Sequence, residues 1–185
     1  MSKTVRRIVT GHDKDGTAIV VKDGTIDPVT RAAGVASALL WVTDETPADM
    51  SGSGDRAARS IGVPPPANGS ILRIVDFPPV SGEIKVDNAA FTSEMGLGAQ
   101  QRRKGRYTDH PFMHRTKSVD YAIVLEGEID MLLDDSKIHM KAGDILIQQG
   151  TNHAWVNNGK TVCRIAFVLI DAHEPEVLKG SGSGH

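Results

Sequence analysis

The chain has 185 residues, of which 39% are hydrophobic and 24% charged, with a formal net charge of −2. A chain of this length buries roughly two-thirds of its unfolded surface, so a packed core needs no disulfide support. This composition is that of an ordinary globular protein, and the near-neutral balance points neither to nucleic acid nor to an anionic membrane surface.

In chain order, strand signals dominate. Val5–Thr10 and Ala18–Lys22 are short β-rich runs joined by the turn Asp13-Lys-Asp-Gly16, and together they predict an N-terminal hairpin. Ala38–Thr43 is a further strand. Residues 44–70 are rich in Asp, Ser, Gly and Pro and predict a long surface excursion, with a short helical turn near Asp55–Arg59. Ile71–Phe77 alternates as a strand and stops at Pro78-Pro79, and Asn88–Met95 predicts a helical turn. Arg102, Arg103, Lys104 and Arg106 form a basic cluster that fits a solvated loop. From residue 118 onward, strands are expected at 118–126, 128–134, 137–140, 144–148, 153–157 and 161–171. Turn residues separate them, including Gly127, Gly143 and Gly150. Many short strands between regular turns predict an all-β sandwich or barrel with few short helices.

Cys163 is the single cysteine and sits in an apolar alternation, which fits a packed thiol rather than a nucleophile. The first residues lack an apolar signal core, and no apolar run approaches the length of a membrane span, so the expected location is cytoplasmic. Nothing resembles a helix-turn-helix segment, and no nucleic-acid partner is expected. Residues 180–185, Gly-Ser-Gly-Ser-Gly-His, read as a linker and tag remnant.

Two segments carry the chemistry, His114–Gly127 and Gly143–Asn157. The first holds His114, Thr116, Ser118 and Asp120; the second holds Gln148, His153, Trp155 and Asn157. Thr116, Ser118, Asp120, Ala122 and Val124 share one face of a strand, as do His153, Trp155 and Asn157 on another. Polar groups beside an apolar wall are the make-up of a small-molecule pocket. Tyr121 has the opposite parity to Asp120 and is expected to pack. His12, His139 and His173 are expected at the surface.

The same residues resemble the cupin family, whose first motif runs Gly, five residues, His-x-His, three or four residues, Glu, six residues, Gly. Counting back from Gly127, Asp120 takes the Glu position, Thr116 the second His position and His114 the first. In the second motif, Gly143, Gly150, His153 and Asn157 match. Gln148 replaces a Pro, and the first spacer is one residue shorter. Val-Leu-Glu-Gly-Glu (124–128) and Lys-Ala-Gly-Asp (141–144) are also cupin-like, and the resemblance covers residues 105–171.

The resemblance implies a double-stranded β-helix, or jelly-roll, barrel over 105–173. Residues 1–104 would supply an N-terminal β-extension and a long loop packed on that barrel within one domain overall. It implies a divalent metal ion (Fe, Zn, Mn or Ni) on His114, Asp120 and His153, with Asp120 and His153 also catalytic. His110, Thr116, Ser118, Gln148 and Trp155 would line the substrate pocket. Two imidazoles and a carboxylate form the facial triad of non-haem iron enzymes. The expected function is a metalloenzyme acting on a small oxygenated organic molecule, of dioxygenase, decarboxylase or dehydratase type. The alternatives are a metal-free lyase or isomerase using Asp120 and a His as an acid–base pair, and a small-molecule-binding barrel without turnover. The family also implies a homodimer formed through the N-terminal strands.

Overall fold

The computed structural model describes residues 3–31, 34–52, 54–82, 87–97 and 104–179. Arg102, Arg103 and the tag-like residues 180–185 lie outside them. Eleven strands form among the described residues: β1 (Val5–His12), β2 (Ala18–Ile26), β3 (Val29–Thr30), β4 (Ala36–Thr43), β5 (Ser70–Phe77), β6 (Ser118–Glu126), β7 (Glu128–Leu132), β8 (Lys137–Lys141), β9 (Ile145–Gln149), β10 (Ala154–Val156) and β11 (Cys163–Asp171). Two short helices accompany them, α1 (Asn88–Glu94) and α2 (Glu176–Lys179).

The strands build a six-stranded sheet in the order β3-β4-β5-β11-β6-β9, a three-stranded sheet β10-β7-β8, and the separate hairpin β1-β2. The two larger sheets face each other across the main core. Val42, Ile71, Val124, Ile165 and Leu169 of one sheet meet Ile129, Met131, Met140 and Trp155 of the other. This is the all-β double-stranded β-helix expected from the sequence. The chain turns tightly from β6 into β7 because Gly127 adopts a φ of 76°. A side chain at Gly127 would also collide with the carbonyl of Val162.

Strands β4 and β5 are integral to the barrel, since β5 pairs along its length with β11 between Ser70 and Phe77. On the outer side of the large sheet, Ala38, Leu40 and Ile74 pack with Val5, Ile26 and Leu72 beneath the hairpin. Arg7 ties this layer down. Its guanidinium forms a bidentate pair with Asp55 at 2.6 and 2.8 Å and also donates to the carbonyl of Leu40.

Several expectations need correction. The 44–70 stretch is not only a surface excursion, because Ile61 and Val63 are half-buried against the main core. Its Asp55–Arg59 segment is a short turn, as expected, closed by the Ala58 amide on the Asp55 carbonyl and by the Ala57 amide on Asp55 Oδ1. Tyr121 lies on the outer sheet face, 40% exposed, rather than packed. No helix among the described residues is long and apolar enough to cross a membrane.

Candidate active site

Backbone pairing brings the two histidines together. His114 and His153 form an isolated antiparallel bridge, each amide donating to the other's carbonyl at 2.9 and 2.8 Å. Directly paired residues point their side chains the same way. The imidazole centroids are therefore only 4.3 Å apart, with the rings tilted by 49°. Each Nδ1 is bonded to a main-chain carbonyl, His114 to Phe112 at 2.8 Å and His153 to Thr151 at 3.0 Å. A carbonyl only accepts, so Nδ1 carries the proton and Nε2 keeps its lone pair, which in His153 faces the Gln148 amide at 3.4 Å. Burial pushes the pKa of His114 down, and burial plus the neighbouring His114 pushes that of His153 well down. Both rings are neutral at ordinary pH, the form that donates to a metal.

Asp120 projects inward from β6 and is 4% exposed. Burial, opposed by hydrogen bonds from Ser118, Gln148 and Thr116, pushes its pKa up to about 6. Ser118 Oγ lies 2.6 Å from Asp120 Oδ1 and 2.7 Å from Thr116 Oγ1. Gln148 Nε2 donates to Asp120 Oδ2 at 2.8 Å and stands 3.4 Å from His153 Nε2. The Gln148 amide thus intervenes between carboxylate and imidazole, and its own Oε1 is buried without a hydrogen-bond partner. Among the described residues, no three of the His, Cys, Asp and Glu side chains converge on one metal position. The donor chemistry of the two Nε2 atoms fits a divalent metal; Asp120 does not join them in this arrangement.

A cavity of about 510 Å³ opens beside these groups. His114, Thr116, Asp120, His153 and Trp155 lie on its wall, while Ser118 and Gln148 sit behind Asp120. His110 is elsewhere. It packs edge-on against Phe112, accepts from the Phe112 amide, and borders a separate shallow depression.

The remaining wall comes from residues that the motifs do not contain. Val35 just before β4, Ser37 of β4, Arg73, Val75 and Phe77 of β5, and Phe91 and Met95 of α1 and its C-terminus all contribute. The loop at 61–63 closes on α1 through the Val63 amide, which donates to the Met95 carbonyl. A Cβ at Gly62 would lie 2.7 Å from that carbonyl, so glycine is needed for the approach. Arg73 carried a readable signal: it shares a face with Ile71, Val75 and Phe77 in an alternating strand, where a cation is out of place.

Comparison with known proteins identifies the family. The Cupin domain family matches residues 102–170. Phomopsin biosynthesis cluster protein C' of Diaporthe leptostromiformis is 32% identical over 188 residues, covering 95% of this chain and 82% of that protein. The cupin-domain-containing oxidoreductase virC of Hypocrea virens is 32% identical over 181 residues, covering 92% and 77%. Among solved structures, the cupin domain of Schizosaccharomyces pombe Cnp3 aligns with a TM-score of 0.43 at 12% identity, over 100% of this chain and 98% of that one. With relatives this similar along nearly its whole length, the chain belongs to the cupin family.

Proposed function

We propose that this chain is a cupin enzyme of the oxidoreductase type, acting on a small oxygenated organic molecule held in the barrel cavity. The observation that carries this reading is the pair of buried, neutral imidazoles whose Nδ1 atoms are pinned to backbone carbonyls. Such pinning fixes the tautomer and presents Nε2 as the donor, as in metal-binding histidines generally. His114 and His153 would hold a divalent metal, and Asp120 would complete the set if the Gln148 amide turned aside. A metal bound there supplies Lewis-acid or redox activation of a substrate oxygen. Trp155 and Phe167 exclude water from the apolar side, and Asp120 holds or releases a proton on the polar side. The names of the relatives, a biosynthesis cluster protein and an oxidoreductase, support oxidative chemistry on a biosynthetic small molecule.

The test is elemental analysis of purified protein after exposure to Fe, Mn, Ni and Zn, compared with His153→Ala. Near-stoichiometric metal in the parent and its loss in the variant are expected. Equal, near-zero metal in both would sink the metal reading.

A second reading rests on Asp120 alone. A buried carboxylate with its pKa near 6 and no cation beside it is suited to general base work without metal. Turnover that survives exhaustive chelation and disappears in Asp120→Asn would favour this lyase or isomerase reading.

A further inference from the structure

Arg73 stands in the interior of the barrel, 7% exposed, on the wall of the cavity that holds the histidines. One Nη donates to the Gly62 carbonyl at 2.6 Å, while Nε is buried with no hydrogen-bond partner. Its neighbours across the sheet are Leu39 of β4 and Phe167 of β11, both apolar. No carboxylate among the described residues pairs with it. Burial, and after it the like charge of Arg31, exposed at the rim of the same cavity, push the Arg73 pKa down to about 10. Asp120 is spent on Ser118 and Gln148. The other arginines that are mostly buried show the contrast: Arg7 pairs with Asp55, and Arg164 pairs with Asp76.

A guanidinium does not deprotonate to escape burial, so an unpaired one carries a large desolvation cost. The structure keeps that cost at one position and aims the group at a cavity rather than at a counterion. We propose that Arg73 is the seat for an anionic group of the substrate, and that the substrate is an organic carboxylate with an apolar, ring-sized body. A single guanidinium with apolar neighbours matches one delocalised negative charge, which it meets with parallel N–H donors. Phe77, Trp155 and Phe167 supply the apolar wall.

The register sets the length. Phe167 pairs with both Arg73 and Ala122, and Leu169 pairs with Asp120, which places Arg73 two strands and one same-face step from Asp120. At ordinary strand spacing and rise, that is roughly 10–12 Å between Cα positions. A carboxylate on Arg73 therefore puts the far end of a phenylpropanoate-sized molecule beside Asp120 and the histidines.

The inference rests on reading this cavity as the substrate site, and not on whether a metal is bound. The probes are 3-phenylpropanoate and its neutral amide, titrated calorimetrically into metal-free parent protein, Arg73→Gln, Arg73→Lys and the surface control Lys14→Gln. The parent should bind the acid at least about tenfold more tightly than the amide, as expected for a charged hydrogen bond. Arg73→Gln should bring the two within about twofold, Arg73→Lys should keep part of the preference, and Lys14→Gln, at the surface away from the cavity, should keep it whole. Equal binding of acid and amide by the parent, no binding of the acid at millimolar concentration, or an acid preference unchanged in Arg73→Gln each overturns the proposal. If Arg73→Gln does not fold, the acid–amide contrast in the parent and Arg73→Lys decides. Metal content is read separately on the parent and His153→Ala, so the anion seat and the metal site can fail independently.

Discussion

Gln148 donates its side-chain amide to Asp120 at 2.8 Å and in doing so holds the carboxylate away from His153. The position is one where the cupin pattern has a proline, which has no side-chain donor. Removing the amide frees Asp120 to reach the imidazole pair and also removes the buried, unpartnered Oε1.

Gln148→Ala should therefore bind a divalent cation more tightly than the parent, by about tenfold or more, within the range that groups around a metal site usually command. Calorimetric titration with Zn²⁺ or Mn²⁺ checks this. Weaker binding in the variant would instead make the Gln148 carbonyl oxygen itself a ligand.

The sequence carried the barrel because its second half obeys period-two alternation with clean turn punctuation. The boundaries of β6 agree with expectation, and β7–β11 differ by a few residues at their ends. The pairing of His114 with His153 was also legible, since both occupy recognised positions of the two motifs. What was not legible is who stands between whom. Spacing cannot say that Gln148 inserts between Asp120 and His153, because that depends on side-chain rotamers rather than register. The front wall of the cavity was hidden for another reason: Ile61, Val63 and Phe91 come from a Pro- and Gly-rich loop and a two-turn helix, whose packing is entirely long-range.

Asp55 should make stability fall with acid. Its pKa is held far below the usual carboxylate range, first by the Arg7 hydrogen bonds and then by Lys22 and the Ala57 amide. A depressed folded-state pKa means the unfolded chain binds the proton more readily. The contribution is thus complete above about pH 4 and is lost as pH drops below it. Asp55→Asn should cost about 2 kcal/mol at pH 7, because the Arg7 side chain is only 9% exposed and is left without its partner. The difference from the parent should shrink towards pH 2. Denaturant melts at pH 7, 4 and 2.5 measure it.

Cys163 should be inert in the native state. It is fully buried, and burial with the nearby Asp76 and Glu128 charges pushes its thiol up to about 12. Thiolate is the reactive form. Iodoacetamide at pH 8 should leave the folded protein unlabelled over hours while labelling it fully in guanidinium, as read by intact mass. Prompt labelling without denaturant would show that the β11 core opens readily.

The proposed homodimer has two apolar surfaces to choose between. Ile19, Val20 and Val21 are 40–59% exposed on the hairpin strand β2, whereas Ile145 and Ile147 are 64% and 54% exposed on the edge strand β9, beside Tyr121. Among the described residues β9 pairs only with β6, so its outer edge is open there. The hairpin strands also have open outer edges, but Ile19, Val20 and Val21 are consecutive and alternate between its two faces, whereas Ile145, Ile147 and Tyr121 share one face. An open edge whose large apolar side chains share one face is the surface that gains most from a second copy, since association would bury that face and complete a hydrogen-bond ladder together. Ile145→Lys with Ile147→Lys should therefore leave a monomer in sedimentation velocity, with the fold retained by circular dichroism. Val20→Lys should leave the association state unchanged. The reverse pattern would move the interface to the hairpin, and a parent protein that sediments as a monomer at high concentration would remove the dimer altogether.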